Sequence, residues 1–211
     1  MNVCRLASAD DSVEAVVAAA VEALGSGGVL VYPTDTLYAI GGRANDAASA
    51  AAVRSVKGRD DGNPLPLIAA SVDQVLALAL PLAPAVEALA RRFWPGPLTL
   101  VLPLGGALPD TVTSGNATIA IRVPAASFAR ALCERAGPLV STSANKSGGA
   151  PPHRFADAAE AVGHVARLLI DAGSLPGTPS TIVDMTSGSP RLVREGSVAW
   201  SDVLLHWNSP A

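Results

Sequence analysis

Ser141-Thr142-Ser143-Ala144-Asn145-Lys146-Ser147-Gly148-Gly149 follows the short apolar run Pro138-Leu139-Val140 and precedes Pro151-Pro152. An apolar run emptying into small hydroxyl residues, an amide and glycines reads as a buried strand that ends in a polar loop. In open α/β sheets ligands sit at such strand ends. Hydroxyls and an amide supply donors and acceptors but neither acid nor base, which suits holding a polar or anionic ligand better than proton chemistry. The same composition also describes an ordinary Ser-rich turn. Two further polar clusters favour a site, because Lys57-Gly58-Arg59 and Pro33-Thr34-Asp35-Thr36-Leu37-Tyr38 also lie just past the ends of expected elements.

Outward from that loop, the chain alternates between helical and extended patterns. Asp11 and Glu14 form a capping box before a helix carried by Val13, Val16, Val17, Ala20, Val21 and Leu24. Val29 to Tyr32 is a buried strand ended by Pro33. Asp46 caps a second helix closed by Gly58, with Lys57 in its last turn, where the helix dipole alone would favour a cation. Leu65 to Ala70 is a strand whose Pro66 implies an edge or irregular position. Ser71 and Gln74 make another capping box, for a helix through Leu76 and Leu80, and Ala85 to Phe93 is the next helix. Leu98 to Leu104 is a strand. Residues 117–123 alternate, so Thr118, Ala120 and Arg122 share one face, either a lined cleft or a solvent face. Ala125 to Arg135 is a helix leading into the Ser/Asn loop. Phe155 to Val162 is a helix and Arg167 to Asp171 a strand. Residues 179–184 and 191–194 are two strands joined by a Ser-Gly turn, and the tail from Ser197 packs Trp200, Leu204 and Trp207. The expected fold class is α/β (α+β): a twisted mixed sheet flanked by helices, with a concave polar and basic cleft.

With 211 residues, 49% apolar and 16% charged, the chain can bury a sizeable core and is not disordered. The most apolar stretch, Val75 to Leu89, is interrupted by Pro81, Pro84 and Glu87, so no membrane association is expected. Cys4 and Cys133 lack any pairing or metal-type spacing, which suits a cytoplasmic protein with two plain thiols. A net charge of −3 and 4% aromatics disfavour broad nucleic-acid affinity, so any direct RNA binding is expected to be weak.

His153, His164 and His206 are far apart and lack spaced carboxylate or Cys partners, so no metal ligands are expected from the protein. There is no Gly-x-Ser-x-Gly elbow and neither standard Gly-rich nucleotide fingerprint. What remains is a hydroxyl- and cation-rich set: Thr34, Lys57, Arg59, Thr118, Arg122, Ser141, Ser143, Asn145, Ser180 and Arg194. If these converge, four cations and several neutral donors match a triphosphate together with a carboxylate.

Seven blocks occur in order: Pro33 to Tyr38, Lys57-Gly58-Arg59, Phe93 to Thr99, Ile121 to Pro124, Ser141 to Gly148, Pro179 to Asp184 and Leu192 to Gly196. Together they resemble the YrdC/TsaC family of threonylcarbamoyl-AMP synthases, over about residues 27–196. The resemblance implies one YrdC-like domain over 1–211, with 197–211 as a C-terminal tail helix, and a single-domain form where some relatives carry a further C-terminal domain. It implies the conversion of L-threonine, bicarbonate and ATP into threonylcarbamoyl-adenylate and pyrophosphate. That product feeds the tRNA threonylcarbamoyl-transfer machinery, for the N6-threonylcarbamoyl modification of adenosine 37. Lys57, Arg59, Ser143 and Asn145 match the family's Lys-x-Arg and Ser-x-Asn signatures. With Thr118 and Arg194 they would hold ATP, with Mg²⁺ carried mainly by the phosphates. Thr34, Arg122, Ser141 and Ser180 would contact threonine, Arg122 pairing with its carboxylate, and Tyr38 would wall the pocket.

Three positions depart from the family pattern. Asp60 stands where many members have Pro, Ala39 where a Gly is common, and Ile68 where some place a His. Three other readings compete: a paralogue that binds nucleotide or RNA without making the adenylate, an RNA-binding module, and a carbamoyl-transferase unit of hydrogenase maturation.

Overall fold

The structure, a computed structural model, describes residues 2–6, 13–58 and 62–208. Among these, the strands are β1 (Val3–Arg5), β2 (Leu30–Pro33), β3 (Tyr38–Gly41), β4 (Leu67–Ile68), β5 (Leu98–Pro103), β6 (Thr118–Arg122), β7 (Leu139–Val140), β8 (Thr142–Ser143), β9 (Leu168–Asp171), β10 (Thr181–Asp184) and β11 (Arg191–Arg194). The helices are α1 (Val13–Ala23), α2 (Ala47–Lys57), α3 (Val72–Leu76), α4 (Pro84–Phe93), α5 (Asp110–Thr113), α6 (Ser127–Ala136), α7 (Phe155–Val162) and α8 (Trp200–Asn208).

The single mixed sheet expected from the sequence is two mixed sheets. One has five strands in the order β1-β9-β2-β3-β8 and the other six in the order β11-β10-β5-β6-β4-β7. Of the chain's passages between them, the one from β7 to β8 takes a single residue. Leu139–Val140 pairs antiparallel with β4 in the six-stranded sheet, Thr142–Ser143 pairs antiparallel with β3 in the five-stranded sheet, and Ser141 lies between. The polar stretch therefore stitches the two sheets together. At this seam a Cβ on Gly41 would sit 1.7 Å from the Val140 carbonyl oxygen, so only glycine fits.

Burial explains the strand patterns. Within β2, Leu30 and Tyr32 enter one apolar cluster, while Val31 belongs to another. A strand covered on both faces reads as a continuous apolar run, as this one does. The first cluster packs α1 through Val16, Val17 and Ala20, and α6 through Phe128, Leu132 and Cys133, against β2 and β9. The second joins residues of both sheets, among them Ile40, Leu100, Ile121 and Val183.

Several expectations change. The capping residue Asp11 lies outside the described residues. Leu67–Ile68 is an interior strand, paired with β6 and β7, rather than an edge. Pro66 stands just before it and offers its carbonyl to the Ser141 N–H at 2.8 Å, so the missing proline donor costs no ladder bond. Ser71 does cap α3, accepting from the Gln74 N–H. That helix ends at Leu76 because Ala79 bridges to Leu104 and the Leu80 N–H bonds Pro103, drawing the chain onto β5. In the tail Trp200 and Trp207 pack on the core as expected, but the fully buried residue is Val203.

Candidate functional site

A cavity of about 300 Å³ opens where the two sheets meet. Tyr38, Ala39, Thr142 and Ser143 line it from the five-stranded sheet. Leu67, Ile68, Thr99, Ala120, Arg122, Ile182 and Arg194 line it from the six-stranded sheet, with Ser141 at the crossing and Ser180 before β10. The alternation read over residues 117–123 thus faces this cavity rather than solvent, with Arg122 only 6% exposed.

Arg122 is gripped from the opposite sheet. Its Nη1 donates to Asp35 Oδ1 at 2.7 Å and to the Gly96 carbonyl at 3.4 Å, and its Nη2 donates to Thr36 Oγ1 at 3.1 Å. The loop that presents these oxygens is held by Thr34, whose Oγ1 accepts the N–H groups of Thr36 and Leu37 and bonds the Leu37 carbonyl at 2.8 Å. Thr34 lines the cavity, yet its hydroxyl is committed to this turn. Tyr38 behaves similarly: its hydroxyl donates to Gly173 and accepts from Ala172, both at 2.9 Å, so its ring shapes the wall. Burial pushes the Tyr38 phenol up in pKa, against the lowering effect of the Ala172 N–H.

Arg194 approaches the rim from β11 and donates to the Ser180 carbonyl at 2.8 Å. Partial desolvation, and then the charge of Arg122, lower its basicity, so two guanidinium groups share one neighbourhood. Ser180 Oγ lies 2.9 Å from Thr99 Oγ1. Beneath Ser141, the wholly buried Tyr32 has its phenol pushed far up by desolvation, offset in part by a hydrogen bond with Ser141.

Lys57 leaves the last turn of α2 and is 3% exposed. Its Nζ donates to the Asn145 carbonyl at 2.7 Å, Asn145 Oδ1 at 2.9 Å and the Ser143 carbonyl at 3.0 Å. Ser143 Oγ donates to Asn145 Oδ1 at 2.6 Å, and Asn145 Nδ2 donates to Gly149 at 2.5 Å. The helix dipole explains the position of this cation; the loop oxygens explain its burial.

The structure therefore gathers Thr34, Tyr38, Arg122, Ser141, Ser143, Ser180 and Arg194 around one cavity, with Lys57 and Asn145 joined to it through Ser143. Thr118 is not brought to the lining; it lies four residues from Arg122 along the same strand face, about 13 Å at the usual rise. Arg59 lies outside the described residues. Three polar residues that touch the site were not among the candidates: Asp35, Thr36 and Thr99. Thr99 carried a readable signal, being a lone hydroxyl in the apolar run Leu98 to Leu102. Asp35 and Thr36 carried none beyond their place in a quoted block, because their partner Arg122 is 87 and 86 residues away.

With this geometry in hand, known proteins are informative. The model of the Sua5/YciO/YrdC family, described as telomere recombination, matches residues 22–196. The chain belongs to that family. It is 37% identical to a threonylcarbamoyl-AMP synthase of Pyrococcus abyssi over 84% of this chain and 53% of that one. It is 38% identical to a threonylcarbamoyl-AMP synthase of Thiobacillus denitrificans over 77% of this chain and 87% of that one. The crystal structure of P. abyssi Sua5 complexed with L-threonine superposes with a TM-score of 0.87 at 33% identity, covering 96% of this chain and 59% of that one. The chain thus spans about half the length of the archaeal relative and most of the bacterial one. Among the described residues no helix is long and apolar enough to cross a membrane.

Proposed function

We propose that this chain is a threonylcarbamoyl-AMP synthase, joining L-threonine, bicarbonate and ATP and releasing pyrophosphate. The observation that carries the proposal is the buried Arg122, set with Ser141 and Ser180 in a cavity at the sheet junction, in a chain whose relative binds threonine. At about 300 Å³ the cavity is at the small end of ligand pockets. That suits an amino acid and its carbamate, with the triphosphate running outward past Ser143 and Arg194.

In this reading the threonine carboxylate meets Arg122, helped by Ser141 and Ser180. Thr34 and Tyr38, with their hydroxyls already engaged, contribute shape. The amine adds to bicarbonate with loss of water, forming a carbamate. A carbamate oxygen then attacks the α-phosphorus as the bond to pyrophosphate breaks. Negative charge develops on the phosphate oxygens, so fixed cations and donors are the main requirement. Arg194 and Arg59 supply charge toward the phosphates, Lys57 with Asn145 and Ser143 sets the shape of the loop they run past, and Thr118 would be reached only by the outer part of the nucleotide. Substrate positioning supplies much of the rate.

The polar groups lining the cavity are hydroxyls, carbonyls and guanidinium groups, and Asp35 is engaged by Arg122. That set does not make a protein cage for Mg²⁺, which would accompany the nucleotide on phosphate oxygens and water. We place the chain in the cytoplasm as one YrdC-like unit, its product passing to tRNA threonylcarbamoyl-transfer proteins. Pyrophosphate release from ATP should require both threonine and bicarbonate. Release that ignores threonine would refute the proposal.

A further inference from the structure

Asp35 has no assigned part in the cavity, yet it is the only carboxylate bonded to Arg122 among the described residues. The pair crosses the molecule: Asp35 lies in the turn between β2 and β3 of one sheet, and Arg122 ends β6 of the other. Both side chains are largely buried, 12% and 8% exposed. Asp35 Oδ2 is buried with no hydrogen-bond partner among the described residues, an expensive arrangement for a group that only fills space. Asp35 Oδ1 and the Gly96 carbonyl accept the two Nη1–H groups and Thr36 Oγ1 accepts one Nη2–H, fixing the end of the guanidinium. Of the five N–H donors of an arginine, Nε–H and one Nη2–H are not taken by any described residue, and they are the pair that can grip a carboxylate with two bonds. Arg194 stands near enough to feel the charge of Arg122. Asp35 therefore also offsets one of two neighbouring positive charges.

We propose that Asp35 is a positioning residue: it acts through Arg122, holding the guanidinium across the sheet junction so that its free edge faces the carboxylate of the bound amino acid. This rests on the reading of the cavity as the threonine site. Asp35 touches no reacting atom, so its loss weakens amino-acid capture and leaves the chemical step alone.

The test compares wild type, Asp35→Asn and Asp35→Glu as full chains. Threonine binding is measured by calorimetry, pyrophosphate release gives KM and kcat, and nitrogen NMR follows the Arg122 guanidinium. Asp35→Asn keeps the shape and removes the charge. It should weaken threonine binding and raise its KM by about tenfold to a hundredfold, the usual worth of a hydrogen bond to a charged group. Its kcat at saturating threonine and its ATP affinity should be unchanged, Asp35→Glu should recover part of the loss, and the Arg122 Nη signals, slowly exchanging in wild type, should average. Unchanged threonine affinity in Asp35→Asn overturns the inference. So does a fall in kcat and melting temperature with KM unmoved, the signature of a purely structural pair. Wild type that binds no threonine while Arg122 shows slow exchange would sink the threonine-site reading and this role with it. Wild type that binds threonine with Arg122 signals indifferent to the substitution would sink this role alone.

Discussion

Lys57 carries its charge inward from the end of α2 and meets oxygens on the Ser/Asn loop, 86 and 88 residues further along. Removing the amine leaves the carbonyls of Ser143 and Asn145 and the Asn145 amide oxygen short of a donor. Each buried unsatisfied group costs about 1–3 kcal/mol. Lys57→Met should lower unfolding free energy by about 3 kcal/mol in denaturant titration and abolish pyrophosphate release even where the protein stays folded. A folded variant with normal activity would contradict the assigned role. The sequence showed that a lysine belonged at this helix end. It could not show whether the side chain turned to solvent or to the loop, because that depends on a contact between distant segments. Arg122 was legible for the opposite reason: strand alternation alone placed it on a face with Ala120.

At the scale of elements, caps made α2 readable from end to end. Asp46 accepts from the N–H groups of Ala48 and Ser49, and also from Gly27 at 2.6 Å, which ties the preceding turn to the helix. Gly58 closes the helix in the left-handed conformation at φ 58°. The Gly27 N–H is the largest influence on Asp46 and, with those of Ser49 and Ala48, holds its carboxyl below the ordinary 3.8 despite desolvation. A depressed folded-state pKa gives stability above the unfolded value, lost as pH falls through the folded one. Asp46→Ala should therefore cost about 0.5–2 kcal/mol near neutrality. In melting curves the gap between wild type and variant should close once the pH falls well below 3.8. A gap that persists in acid would contradict this. The elements least legible in the sequence are short: β3 starts at the last residue of the polar block Thr34 to Tyr38, and β8 is two polar residues whose strand character comes wholly from pairing with β3.

For the whole molecule, the decisive feature is the seam at Ser141, where the chain steps directly from one sheet to the other beside the cavity. The Ser/Asn stretch was legible as a loop at a strand end, but its role as the join was not. A single sheet and two sheets give the same alternation of apolar and polar residues. Gly41 shows how close the join is. Gly41→Ala would drive a methyl group into the Val140 carbonyl, and should cost more than about 3 kcal/mol or prevent folding. Near-normal stability by calorimetry would mean that the sheets can part without penalty.

The most direct test of the function assigned to that cavity is a mass spectrum of the reaction itself. The protein is incubated with ATP, L-threonine and ¹³C-bicarbonate, and the nucleotide products are examined at once. An adenylate that carries threonine and a single ¹³C atom should form in step with pyrophosphate and be absent when threonine is left out. ATP bound but recovered intact, with threonine and bicarbonate both present, would contradict that function and identify a nucleotide-binding protein that makes no adenylate.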